Sequence, residues 1–113
     1  MEIEMVNFNI FDPITRQQIK DRAQPLFDKF EKFFGKDSLF KFKLDLKKTH
    51  EDPEGKSYYE VKGYLETKIG PFRTIENGWE ILTITDKIIQ ELTRMITEQK
   101  EKIKTKRKLP ANV

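Results

Sequence analysis

Apolar and polar residues alternate along several short stretches of the chain, and this pattern predicts four β-strands. The alternation covers Ile3–Ile10, Leu39–Lys47, Tyr58–Lys68 and Phe72–Ile75. A period of two places successive side chains on opposite faces, so the clean alternation of Leu39–Lys47 predicts a strand with one buried and one wet face. In Ile3–Ile10 the alternation breaks at Met5-Val6, which predicts a bulge or a strand buried on both faces. In the second strand the side chains expected to share the core face are Phe40, Phe42, Leu44 and Leu46.

Two longer segments have helical spacing. The first is expected to begin after Asp12, which caps the free N–H groups, and to end at Gly35. Pro25 lies inside it, which predicts a kink near residues 21–24 or two shorter helices in line. The second is expected to begin near Leu82 or Thr85. Its apolar stripe consists of Ile88, Ile89, Leu92, Met95, Ile96 and Ile103.

The predicted element order is β-α-β-β-β-α, which favours an α+β fold. Asp52-Pro53-Glu54-Gly55 is a strong turn signal, and the strands that follow one another favour antiparallel pairing. We expect a four-stranded, mostly antiparallel sheet with both helices packed on one face, because only then is the apolar face buried. Residues 1–108 are expected to form one domain, with a disordered tail over residues 109–113.

The composition limits which catalytic and metal-binding functions are expected. The chain has no Cys and a single His, His50, so the sequence offers no thiol nucleophile and no His/Cys metal site. It contains no phosphate-binding glycine loop and no serine-nucleophile motif. We therefore expect no enzyme activity, catalytic residue, cofactor or metal. Neither a membrane span nor a secretory leader is apparent, and a soluble cytoplasmic protein is expected.

Positive charge is concentrated near the end of the chain. The chain has 22 Lys+Arg and 19 Asp+Glu, and without the run from Lys100 to Lys108 it has 16 basic and 18 acidic residues. A local excess of this kind attracts polyanions, and helical spacing aligns its cations along a rigid element. The alternative is a solvated helix end whose cations complement the macrodipole. The basic residues of the run are Lys100, Lys102, Lys104, Lys106, Arg107 and Lys108.

The polar face of the predicted sheet is a second basic surface. Lys41, Lys43 and Lys47 alternate with the apolar residues of the second strand, and Lys48, Lys62 and Tyr64 extend the surface. Such a face either contacts RNA or simply keeps the sheet soluble and discourages edge-to-edge aggregation. Tyr58, Tyr64 and Trp79 have rings able to stack on bases, although partial burial is the commoner role of such residues.

Two helix motifs carry a family resemblance. Phe27-Asp28-Lys29-Phe30-Glu31-Lys32-Phe33-Phe34 resembles the end of the first helix in the ribosome hibernation-promoting factors, also called ribosome-associated inhibitors or sigma-54 modulation proteins. The last helix is similar to theirs as well, and Phe72 and Glu76 fit their fourth strand. The matching residues of the last helix are Asp86, Ile88, Ile89, Leu92, Arg94, Ile96, Lys100, Glu101, Lys102 and Ile103.

The resemblance implies a role on the ribosome. Members of that family bind the small subunit in the channel used by mRNA and tRNA, and basic residues of both helices contact ribosomal RNA. The residues implied here are Lys29 and Lys32 of the first helix and Arg94, Lys100 and Lys102 of the second. The chain departs from the family at Glu91, Thr97 and Glu98, where relatives often carry Lys, and in its longer hairpin around Pro53.

The leading hypothesis is therefore a translation inhibitor of the short hibernation-factor form. Its expected partners are the small ribosomal subunit and its rRNA, with no small-molecule substrate and a monomer off the ribosome. One alternative is a general double-stranded RNA-binding module, which would accept any RNA duplex. Another is a protein–protein adaptor whose basic helical tail meets an acidic partner.

Overall fold

The computed structural model describes residues 2–108, with side chains described up to Ile103. The tail expected to be disordered, residues 109–113, lies outside the described residues. A short 3₁₀ helix, Phe8–Ile10, follows the first strand. The other elements are β1 (Ile3–Val6), α1 (Pro13–Phe34), β2 (Leu39–Glu51), β3 (Ser57–Thr67), β4 (Gly70–Gly78) and α2 (Ile81–Lys108). Neither helix is long and apolar enough, within the described residues, to cross a membrane.

The α+β prediction is confirmed. The sheet is mixed, with strand order β1-β2-β3-β4. β1 runs parallel to β2, since α1 connects them, while β2, β3 and β4 form an antiparallel meander. The register places Phe42, Leu44, Val61, Leu65 and Phe72 on one face, and all five are buried there. The two helices cover that face, and the opposite face of the sheet is open.

α1 begins and ends where the sequence predicts. The Asp12 carboxylate accepts a hydrogen bond of 2.7 Å from the Thr15 N–H, and this bond holds the pKa of Asp12 below its ordinary value. Gly35 ends the helix at a positive φ of 95°, and its N–H reaches the carbonyl of Glu31. The expectation of two shorter helices is wrong, because the helix runs unbroken through Pro25. Pro25 is exposed, so its missing hydrogen bond lies on the solvent side.

α2 begins at Ile81, one residue before the earlier of the two predicted starts. Ile88, Leu92 and Ile96 of its predicted stripe are fully buried, while Ile89, Met95 and Ile103 are half-buried. The helix approaches β3 at Gly63, where an added Cβ would lie 2.9 Å from the Ile88 methyl. A side chain at this position would therefore force Ile88, or the helix that carries it, to shift.

The first strand is shorter than the sequence predicts. β1 stops at Val6, because Asn7 adopts the left-handed conformation (φ 66°) and redirects the chain into the 3₁₀ helix. This turn brings Phe8 into the core, where only 1% of its surface is exposed. Ile10, expected at the end of the strand, is 60% exposed as a result.

Phe40 does not share the core face as predicted. A register shift lies between Leu39 and Lys41, so Phe40 is the extra residue of a bulge and is 60% exposed. Leu39 takes its place and packs against the core.

The β2–β3 hairpin is longer than predicted, since strand pairing continues to Glu51 and Ser57. Its turn is organised by Asp52, whose carboxylate accepts hydrogen bonds from the Glu54 and Lys56 N–H groups at 3.0 and 2.7 Å. The predicted Asp52–Gly55 turn is thus confirmed.

Candidate nucleic-acid interface

The two helices lie side by side and run in the same direction. Near their beginnings Arg22 of α1 forms an ion pair with Asp86 of α2, at 2.6 Å. Further along both helices, the Lys100 ammonium of α2 lies 3.6 Å from the centre of the Phe33 ring of α1. Both helices therefore run toward the same side of the molecule, where α1 ends at Phe34 beside the Lys100 turn of α2 and α2 continues to Lys108. The negative end of the α1 macrodipole favours cations there.

Phe33 brings two of the predicted RNA-binding lysines together. Lys100 continues the buried stripe of α2 by one turn beyond Ile96, and its stem is half-buried. The ammonium of Lys29 lies on the same Phe33 ring, 5.7 Å from its centre. Both contacts are cation–π interactions, which fix the position of the charge without neutralising it. Lys29 and Lys100 therefore both contact the Phe33 ring, and their charges remain available to an anion.

Further lysines lie at this end of the molecule, interspersed with the acids Glu31, Asp37 and Glu101. Lys32 lies in the last turn of α1 and Lys102 near the end of α2, and both are exposed. Lys36, which follows the C-cap Gly35 of α1 and is also exposed, lies at the same end; it was missed in the sequence because the motif ends at Phe34. We call Lys29, Lys32, Lys36, Lys100 and Lys102 the helix-end cluster. The backbone of α2 continues in helix to Lys108, but the side chains of Lys104, Lys106 and Arg107 lie outside the described part.

Arg94 is not available in the way the resemblance implies. Its guanidinium binds the carboxylates of Glu91 and Glu98, which lie one turn before and after it on α2. The hydrogen bonds to Glu91 and Glu98 raise the pKa of Arg94, and the bond to Glu91 has the larger effect. The bond between Arg94 and Glu91 also lowers the pKa of Glu91. The three side chains together carry one net negative charge, so this part of α2 repels phosphate. The spacing Glu91–Arg94–Glu98 was a readable sign of this pairing.

The open face of the sheet carries the predicted lysines Lys41, Lys43 and Lys47, as the alternation of β2 requires. Lys48 is in register with Tyr59, which packs on the core, and therefore belongs to the other face. Acids interrupt the basic residues, and Lys41 forms an ion pair with Glu4 at 3.2 Å. The paired strands place the bases Lys41, Lys43, Lys47, Lys62 and Arg73 and the acids Glu4, Asp45, Glu60 and Glu66 on this face.

At the far end of the hairpin three aromatic side chains contact one another. His50 lies in β2 and stacks on Tyr58 with ring centres 4.8 Å apart. Trp79 meets Tyr58 edge-on, also at 4.8 Å, and is 39% exposed. These contacts tie β2 and β3 to the residue that follows β4. A structural role for Tyr58 and Trp79 accounts for this packing.

Comparison of the chain with models of known protein families gives no match, and comparison with curated proteins gives none either. The resemblance to the hibernation factors therefore rests on the two helix motifs, the fit of Phe72 and Glu76 and the element order.

Proposed function

We propose that the chain is an rRNA-binding translation inhibitor that occupies the mRNA and tRNA channel of the small ribosomal subunit. The observation that carries this proposal is the helix-end cluster, in which exposed or half-buried lysines of both helices lie together. Two parallel helices bring together cations that the sequence separates by about 70 residues, from Lys29 to Lys102. Inhibition is by occlusion, and no bond is made or broken.

The geometry of the cluster supports recognition of a folded RNA backbone. Rigid helices hold the cations, and the aromatic ring of Phe33 restrains two of them, which lowers the entropy cost when phosphates bind. If about five phosphates are neutralised, log K should fall against log salt concentration with a slope of roughly −4. Arg94 contributes no net positive charge, because Glu91 and Glu98 neutralise it.

The test is co-sedimentation with purified small ribosomal subunits across a salt series. Replacing Lys100, Lys102 and Lys104 together by Glu should abolish binding while the circular dichroism spectrum stays unchanged. The matched control replaces Lys20, Lys68 and Lys87 by Glu, since these exposed lysines lie elsewhere and the change in net charge is the same. Equal loss of binding in both variants would mean that net charge, rather than this cluster, determines binding.

A generic RNA duplex added as competitor separates the proposal from the general duplex-binding module. A specific ribosomal site predicts stoichiometric pelleting that the duplex does not displace. Displacement at equal nucleotide concentration would instead favour the general module, which recognises the shape of A-form RNA. Absence of pelleting at low salt would overturn both RNA hypotheses and favour an acidic protein partner.

A further inference from the structure

The open face of the sheet contains a shallow depression of about 400 Å³ across β2, β3 and β4. Four of its charged lining residues are basic and one, Asp45, is acidic, so its local charge is more positive than that of the whole face. Tyr64 and Ile75 provide its apolar surface, and Ile75 is 54% exposed. The basic lining residues are Lys41, Lys43, Lys62 and Arg73.

Tyr64 lies at the centre of this depression. The register places Lys43 beside it on β2 and Arg73 beside it on β4. The Arg73 guanidinium lies 5.0 Å from the centre of the Tyr64 ring. Lys62 is two residues away on the same strand and the same face, at a spacing of roughly 7 Å. One π-surface is therefore surrounded by three cations.

We propose that this depression binds single-stranded RNA. An unpaired base stacks on Tyr64 and on the guanidinium plane of Arg73, and Ile75 contacts its edge. Lys43 and Lys62 bind the phosphates on either side. Stacking requires a base that is free of its own duplex, because a paired base has both faces covered by its neighbours. The aromatic residue at the centre of the cations thus favours a single strand over a duplex.

This site is separate from the helix-end cluster, because the helices cover the opposite face of the sheet. It does not depend on the proposed ribosomal function. Acids limit how many phosphates are neutralised, since Asp45 lines the depression and Glu60 and Glu66 lie on the same face of the sheet. With about three phosphates bound, the salt slope for a single strand should be close to −2, which is shallower than at the helix ends.

The test is fluorescence anisotropy with a labelled oligouridylate about eight nucleotides long, within the site sizes of single-strand-binding folds. Tyr64→Ala should weaken binding about tenfold or more. Tyr64→Phe keeps the ring and should bind nearly as wild type does. Lys43→Glu should weaken binding as well, whereas Lys68→Glu, an exposed lysine that does not line the depression, should not. Circular dichroism of each variant checks that the fold is retained.

The Lys100/Lys102/Lys104→Glu background distinguishes the two sites, because Tyr64→Ala should weaken oligouridylate binding in that background by the same factor as in wild type. Equal affinity of wild type and Tyr64→Ala would overturn the proposal, as would failure of the wild-type protein to bind at low salt. A loss confined to the Lys100/Lys102/Lys104→Glu variant would place single-strand binding at the helix ends and would equally overturn it.

Discussion

Gly63 determines how closely α2 approaches the sheet. A Cβ at this position would lie 2.9 Å from the Ile88 methyl and 3.4 Å from the Thr74 methyl. Ile88 is fully buried, and side chains in close-packed interiors have little room to move. We expect Gly63→Ala to lower the free energy of unfolding by about 1–3 kcal/mol through overpacking. Urea denaturation followed by circular dichroism measures this change.

The control for this prediction is a double-mutant cycle with Ile88→Ala, which removes the opposing methyl. Ile88→Ala alone leaves a cavity and destabilises the protein. In that background the methyl that Gly63→Ala adds has room, so the substitution should be nearly neutral or stabilising. An equal cost in both backgrounds would show that the glycine is needed for another reason than its closeness to Ile88.

At the scale of the elements, α1 carries an internal defect at Pro25. The proline cannot donate to the carbonyl of Asp21, and a proline inside a helix costs about 3 kcal/mol relative to alanine. Because its ring restricts the unfolded chain, proline offsets roughly 0.4–1 kcal/mol of this cost in the free energy of unfolding. Pro25→Ala should therefore stabilise the protein by about 2 kcal/mol, measured as the free energy of unfolding in urea.

Gln24→Ala is the matched control, because it changes an exposed neighbour in the same helical turn. It removes only the hydrogen bond from the Gln24 amide to Asp28, so the change should stay within about 0.5 kcal/mol. If Pro25→Ala is no more stable than wild type, the helix accommodates the proline without cost, and tertiary packing holds that turn in place.

Local patterns predicted the element order, because capping residues and turn signals act over a few positions. They failed where tertiary packing decided the outcome. Asn7 ends β1 early so that Phe8 reaches the core, and a bulge at Phe40 breaks the alternation. The candidate site shows the same contrast between what local patterns predict and what tertiary packing decides. Charge runs located the basic helix end, but only the packing of α1 on α2 shows that Lys29 and Lys100 share the ring of Phe33.

At the scale of the whole molecule, the positive excess lies beyond the last described side chains. Residues 104–113 contain four basic residues and no acid, so without them the net charge falls from +3 to −1. The last fully buried residue in the described part of the chain is Ile96, so the described core does not depend on that segment. A truncation after Ile103 therefore removes the basic residues at the end of α2, from Lys104 to Lys108, and keeps the helix-end cluster.

Deleting residues 104–113 should leave the unfolding free energy nearly unchanged and should flatten the salt dependence of small-subunit binding. Each phosphate that is no longer neutralised makes the slope of log K against log salt shallower by about 0.7–0.9. The control deletes only residues 109–113, which removes no charged residue. Binding that survives the longer deletion with the same slope would mean that Lys29, Lys32, Lys36, Lys100 and Lys102 are sufficient, and that the basic end of α2 does not touch RNA.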